Sequence, residues 1–291
     1  MYKKLDKLSL IFMFASGLTL VIVLSLVAFL ILNSTYAFPL SGKYLREYWP
    51  AIYGTIIVSI IAIVISLPLS IFSTIFLVEL VPPSLRNFLI SISDLMASFP
   101  TIIYGFWGLI KLGPFLTQYV FYPMYKYLGF IPFFSTAPLG PSYLLASIVL
   151  SIMISPFASS IIRETYTQVP KYIDESVLSL GMGKWGKVMI KLRYIRSGIL
   201  VAFTLAYGRA IGETVAVGLT VGGVLNASIS LFSPGYTIPS FIANVFEEAF
   251  TKTNVSSFFM LSLILLAIGL IFIVIAKLLI IRSASLSRWI K

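Results

Sequence analysis

Tyr207-Gly208-Arg209-Ala210-Ile211-Gly212-Glu213-Thr214 lies inside an otherwise apolar segment that runs from Gly198 to Leu225. A segment of that length spans a bilayer, so the motif sets an arginine and a glutamate at membrane depth. Each such charge costs roughly 2.5–3.5 kcal/mol on insertion scales, and residues of this kind face a protein interior or a water-filled path. On a continuous helix the four-residue spacing puts both charges on one face, a turn apart. Gly208 and Gly212 share that spacing, which lets a neighbouring helix come close. The stretch therefore predicts a membrane-spanning helix with one charged, closely packed face.

The rest of the chain has the composition such a helix needs. Of 291 residues, 59% are hydrophobic and 11% charged, with a mean hydropathy of +1.01. Too few charges remain to clothe a soluble domain of this size. The net charge of +11 fits basic loops on the inner side of a membrane rather than a nucleic-acid surface. The absence of cysteine and histidine excludes disulfide frameworks, Cys/His zinc sites and His-dependent nucleophilic catalysis. Carboxylates, arginines and lysines are what is left for chemistry.

Read in order, the chain gives six spans. Lys3, Lys4 and Lys7 precede an uncharged run, Leu8 to Leu32. That run exceeds the roughly 7–15 residues of a signal-peptide core, so it reads as an uncleaved first span despite a cleavage-like Thr35-Tyr36-Ala37. The second span covers about Ala51 to Val78 with Pro68 inside it. Glu79 to Arg86 is a short turn, and the third span, holding Asp94 and Pro100, reaches about Ile110. Residues 111–141, rich in Pro, Gly and aromatics, read as a loop lying partly in the interface. The fourth span is about Ser142–Ile162, the fifth Gly198–Leu225 and the sixth about Ser256–Ala276. A short helix is expected around Ile238–Phe250, and Pro68, Pro100 and Pro156 are expected to bend their spans. Trp49 and Trp289 read as interfacial anchors. No internal repeat is visible, so the chain reads as one membrane domain.

Charge orients it. With the N-terminus inside, the inner segments hold 15 Lys and Arg and the outer loops 5, Arg209 being the remaining one of 21. That bias puts both termini in the cytoplasm.

Residues 163–197 form the longest polar stretch and read as two short helices joined at a glycine. Pro170 suits a first turn, Ile173, Val177 and Leu180 form a stripe, and Gly181 is placed as a left-handed cap. A solvated loop with snorkelling lysines is the competing reading. Glu175-Ser176-Val177, Leu180-Gly181, Trp185, Leu192 and Gly198-Ile199 resemble the EAA loop of ABC importer permeases. That resemblance implies a six-helix, all-α permease of the type I, MetI-like fold. It also implies an ATPase-docking surface over about Asp174–Trp185, including Asp174, Glu175, Ser176, Leu180, Gly181 and Trp185.

Gly208 to Val217 resembles the signature of permeases in the phosphate-specific (Pst) importer. Tyr53-Gly54-Thr55, Leu67-Pro68-Leu69, Leu77-Val78-Glu79, Phe99 to Leu109, Ile154-Ser155-Pro156 and Gly235 to Ala243 are similar as well. The Tyr104-Gly105-Phe106-Trp107-Gly108 run favours a PstC-like subunit over a PstA-like one. The resemblance implies a complex with a PstA-like permease, two PstB-like ATPase subunits that hold ATP and Mg, and an extracytoplasmic PstS-like phosphate-binding protein. This chain itself would bind no cofactor and hydrolyse nothing. Gly181-Met182-Gly183-Lys184 lacks the GxxxxGK[ST] spacing of a phosphate-cradling loop.

A guanidinium is permanently charged and presents a planar fork matched to phosphate oxygens. Arg209 is therefore the first candidate for the substrate pathway. Glu213 is placed to hold Arg209 when the site is empty, or to accept a hydrogen bond from a protonated phosphate. The bland alternative is an interhelical ion pair that sets packing. Thr214, Ser98 and Thr101 are further pathway candidates, although hydroxyls within spans commonly join helices. Asp94 is a weaker candidate near the membrane surface. Rival functions are an importer of sulfate, molybdate or tungstate, and an ATP-independent anion transporter.

Overall fold

The computed structural model describes residues 7–248 and 251–287. Lys3, Lys4, Phe250 and Trp289, used above as anchors or helix ends, lie outside them. Among the described residues the architecture is all-α. Helix α1 (Lys7–Asn33) leads to α2 (Ser41–Ile75), which ends in a π-turn, Phe76–Leu80. Helix α3 (Pro83–Ser98) is followed by α4 (Thr101–Trp107), α5 (Gly113–Leu116) and α6 (Tyr122–Leu128). Next come α7 (Tyr143–Thr167), α8 (Lys171–Ser179), α9 (Lys184–Tyr194), α10 (Arg196–Ile211) and α11 (Val215–Thr220). Helices α12 (Ile238–Val245) and α13 (Lys252–Ser287) complete the chain.

Among the described residues four helices are long and apolar enough to cross a membrane: Ser9–Asn33, Gly42–Leu80, Tyr143–Thr167 and Lys252–Ile281. The other two expected spans are not simple rods. Pro83–Ser98 and Thr101–Leu128 form a pair bent by 90°, with the break at Phe99-Pro100, where proline disfavours helix in the residue before it. Residues 111–128 are helical rather than loop. Two π-turns, Gly108–Leu112 and Thr117–Phe121, precede Pro114 and Pro123, and such widened turns let a proline enter a helix without striking the carbonyl a turn back. The fifth span is also broken, since α10 stops at Ile211. Of the three prolines expected to bend spans, only Pro100 stands at a sharp break; α2 and α7 run on through Pro68 and Pro156.

The centre of the bundle is the seam between α2 and α7. Ser59, Ser66, Ser70 and Thr74 of α2 and Ser147, Ser151, Ser155 and Ser159 of α7 are all buried, and Ser70 and Thr74 meet Ser155 and Ser159. Small hydroxyls at near-four-residue intervals bring the backbones close, and their hydroxyls bond carbonyls across the seam. Ser70 Oγ donates to the Ser155 carbonyl at 3.1 Å and Thr74 Oγ1 to the Ser159 carbonyl at 3.2 Å. Around it Met153, Ile154, Tyr143, Tyr207 and Phe232 form the main apolar core.

The glycines that enable close approach are not the predicted ones. A side chain on Gly208 would meet nothing within 4 Å, and one on Gly212 only its own helix. Gly105 and Gly108 of α4 and its π-turn are among the close ones. A Cβ on Gly105 would sit 2.8 Å from Ala216 Cα, and one on Gly108 2.5 Å from Val149 Cγ2. These two positions press α4 onto α11 and α7.

The segment before α12 folds back over the bundle. Gly222 (φ 104) and Gly223 (φ 70) take left-handed turns that side chains disfavour, and Gly235 donates its N–H to Val221. The Tyr143 hydroxyl donates to the Asn226 carbonyl, and Thr55 Oγ1 accepts from Ile238 N–H at 2.8 Å. A capping box, Thr237 with Ser240, then starts α12 as the Ile238 expectation requires.

Candidate functional site

The predicted charged face comes apart at Gly212. Glycine is a poor helix interior residue by about 0.8–1.0 kcal/mol, and here Gly212 caps α10 with its N–H bonded back to the Ala210 carbonyl. Glu213 then accepts from Ala216 N–H through Oε1 at 3.1 Å. That bond stabilises a new helix start at α11 instead of a continuation of α10. Arg209 is left in the last turn of α10 and Glu213 just before Thr214, the N-cap of α11. Each charge thus complements a half-helix terminus, the cation at a C-terminal end and the anion at an N-terminal end.

The two side chains do not pair. Among the described residues no ion pair or hydrogen bond is made by Arg209; its guanidinium carbon lies 5.3 Å from the centre of the Phe157 ring on α7. That face contact offsets part of the cost of burying the cation and leaves its donors free. Glu213 is 9% exposed, and Oε2 has no partner among the described residues. The expectation that Glu213 holds Arg209 in place is therefore corrected: the break separates them, and the backbone of α11 holds Glu213.

Of the other pathway candidates, Thr214 donates to the Gly212 carbonyl at 3.3 Å and sits in the break itself. Ser98 is exposed at the end of α3 and donates to the Asp94 carbonyl at 3.1 Å. Thr101, half-buried, begins α4 on the far side of the bend. Neither Ser98 nor Thr101 hydrogen-bonds to Arg209 or Glu213. Tyr104, one turn into α4, ties the bend together through a hydroxyl bond to the Met96 carbonyl at 2.8 Å. Asp94 is committed elsewhere, paired with Arg163 of α7 at 2.6 Å.

The polar stretch forms the expected helical hairpin. Gly181 (φ 70) turns left-handed after α8, and Met182 N–H reaches the Val177 carbonyl at 3.2 Å. This is the Schellman closure that only a glycine-like residue permits cheaply. Val177 and Val188 are buried on the inner side. On the outer side Leu180 is 75% and Trp185 66% exposed, with Glu175, Ser176 and Gly181 exposed beside them. Asp174 differs from the rest of the predicted docking set, because it faces inward to Lys191 at 3.0 Å and Lys187 at 3.9 Å.

Those lysines also reach a residue the sequence reading treated only as a span end. Glu79, in the π-turn after α2, lies 3.2 Å from Lys187 and 3.5 Å from Lys191. Tyr166 of α7 donates to Glu79 Oε1 at 3.0 Å, and Lys191 stands 5.1 Å over the Tyr166 ring. The only sequence signal for this cluster is the four-residue spacing of Lys187 and Lys191, which puts both on one face of α9.

No protein-family model matches the chain. It is 44% identical over 222 residues to a probable phosphate transport system permease protein PstC of Methanocaldococcus jannaschii, covering 76% of this chain and 70% of that one. It is 40% identical over 236 residues to phosphate transport system permease protein PstC of Xylella fastidiosa strain Temecula1, covering 79% and 72%. Among solved structures it is similar to the inward-facing MetNI methionine ABC transporter, with a TM-score of 0.57, 15% identity and coverage of 84% and 98%. A bacterial ABC transporter involved in import of the acidic polysaccharide alginate matches with a TM-score of 0.57, 16% identity and coverage of 98% and 100%. The last two likenesses establish the fold, that of a MetI-like ABC importer permease.

Proposed function

This chain belongs to the PstC family of phosphate transport system permease proteins, and on that premise we propose that Arg209 is the residue that meets phosphate as it crosses. The chain is a multi-pass, non-catalytic permease subunit of an ABC phosphate importer. One observation carries the site assignment: a permanent cation stands at a helix break, and among the described residues no carboxylate pairs with it. A half-buried guanidinium at membrane depth whose fork of donors is unclaimed is costly unless an anion visits. Broken helices are also where transporters keep their substrate sites.

Glu213 supplies selectivity in this reading. Its second carboxylate oxygen accepts the proton that phosphate carries at neutral pH and sulfate lacks. Thr214 lines the same break; Ser98 and Thr101 line the approach along the bend between α3 and α4. The site binds weakly, because it must release what a PstS-like binding protein delivers from outside.

The subunit sits in the cytoplasmic membrane as one domain of six spans with both termini inside. It pairs with a PstA-like permease, and two PstB-like ATPases hold ATP and Mg. Glu175, Ser176, Leu180, Gly181 and Trp185 form the surface one ATPase grips, since exposed Leu and Trp at a hairpin tip suit burial against a protein partner. Asp174 positions that surface from within. Nucleotide-driven movement of the hairpin switches the pathway between outward and inward access.

The test is uptake of labelled phosphate by the whole complex in proteoliposomes loaded with ATP. Wild type should accumulate phosphate and Arg209→Ala should not, although its subunits co-purify in normal ratio. Normal uptake by that variant would remove Arg209 from the pathway. Equal competition by sulfate, molybdate or tungstate would favour the other oxyanion reading. Accumulation without the ATPases would favour a secondary transporter.

A further inference from the structure

Glu79, Asp174, Lys187 and Lys191 form a closed square of alternating charge. Its sides are Glu79–Lys187 at 3.2 Å, Lys187–Asp174 at 3.9 Å, Asp174–Lys191 at 3.0 Å and Lys191–Glu79 at 3.5 Å. The corners come from three elements: the π-turn after α2, helix α8 and helix α9. Tyr166 of α7 adds a fourth by donating to Glu79. The side chain of Glu79 is 8% exposed and that of Lys191 10%, so this side of the square is shielded from the salt that weakens surface pairs, while Lys187 and Asp174 are 25% and 30% exposed.

We infer that Glu79 is a positioning residue that fastens the hairpin to the membrane helices and so transmits its movement to them. The argument is mechanical. Helix α8 carries Glu175 and Ser176 of the exposed tip and meets the rest of the chain through α9, through Ile173 on the Ile162–Tyr166 cluster and through this square. Glu79 is the corner that belongs to α2, and α2 forms the central seam with α7. The π-turn that carries Glu79 closes with Val81 N–H on the Phe76 carbonyl, a widened turn that sets where the last side chains of the helix point. With Glu79 neutral, two ammonium groups would share one carboxylate. Their repulsion would loosen the hairpin from α2 while α8 and α9 kept their own contact. Two-state elements joined this way carry coupling of about 5–150-fold between sites.

The inference rests on the permease reading, and the experiment separates the two. The complete transporter, with ATPases and binding protein, is reconstituted in proteoliposomes, and phosphate uptake and ATP hydrolysis are measured together. For Glu79→Gln the phosphate moved per ATP should fall about tenfold, while the ATPases co-purify at the wild-type ratio. In Glu79→Gln with Lys187→Gln the remaining Asp174–Lys191 pair is neutral again, and much of the lost ratio should return. An unchanged ratio in Glu79→Gln would overturn the inference. So would loss of ATPase co-purification in both variants, which would make the square a folding element alone. If the wild-type complex itself moved no phosphate, the permease reading would fail first, whatever Glu79 does.

Discussion

Arg209 and Glu213 stand four residues apart and do not meet, whereas Lys187 and Lys191, also four apart, share the same two carboxylates. The spacing is the same although the first pair is of opposite charge and the second of like charge, so spacing does not decide the outcome. At Arg209 the helix stops between the two charges, and each is matched to a half-helix end. At Lys187 and Lys191 the helix continues, both side chains project from one face, and α2 and α8 bring acids to that face. A closed set of charges resists rearrangement, because moving any member strands another. An open cation is held less firmly and can be met by a passing anion.

Removing charge from each region should therefore harm different quantities. Arg209→Ala is expected to have the largest effect, and on transport: a desolvated charge contact is worth about 2–5 kcal/mol, which is a loss of roughly 30-fold or more in uptake. Its thermal stability in detergent should hold, because no carboxylate is left unpaired. A large fall in stability would show that Arg209 belongs with the closed charges. Lys191→Ala should do the reverse. It deprives Glu79 and Asp174 of their shared, 10% exposed ammonium and leaves both to Lys187, a loss worth about 1–3 kcal/mol. Thermal unfolding of the purified chain measures it, and an unchanged midpoint would dissolve the contrast.

Glu213→Ala strips the start of α11 and should cost about 1 kcal/mol, as lost helix caps do. Glu213→Gln keeps an acceptor for Ala216 N–H and should recover that stability while losing preference for phosphate over sulfate. Preference retained by the glutamine variant would restrict Glu213 to capping. The smallest effect belongs to Asp94→Asn. Its bridge to Arg163 is short, yet the Asp94 side chain is 48% exposed, and such pairs contribute about 0–1 kcal/mol. Chemical denaturation should barely register it.

How much of this could be read beforehand depends on the range of the interaction. The hairpin was legible in detail because a helix cap is local: Pro170, the Val177 stripe and Gly181 lie within one another's reach along the chain. The short helix at Ile238 was legible for the same reason, its capping box lying within Thr237–Ser240. Glycine packing was not. Gly208 and Gly212 carry the favourable spacing yet point into open space on this chain, while Gly105 and Gly108 are one residue short of that spacing and are packed tightly. A spacing rule describes what a face permits, and the neighbour that arrives decides whether it is used. The α2–α7 seam had a usable signal, serines at 147, 151, 155 and 159, that reading for charge alone passed over.

Hydropathy and charge by themselves determined that the chain crosses a membrane several times and that Arg209 stands in an apolar stretch, because desolvation acts on each residue separately. The Gly208–Thr214 and Glu175–Trp185 stretches likewise carried the family in their own order. Tertiary structure alone decided that the arginine stays unpaired, that the third segment turns through 90°, and that Glu79 closes a ring with residues about a hundred positions away. Pairing needs two partners in one place, and only the folded backbone brings them there.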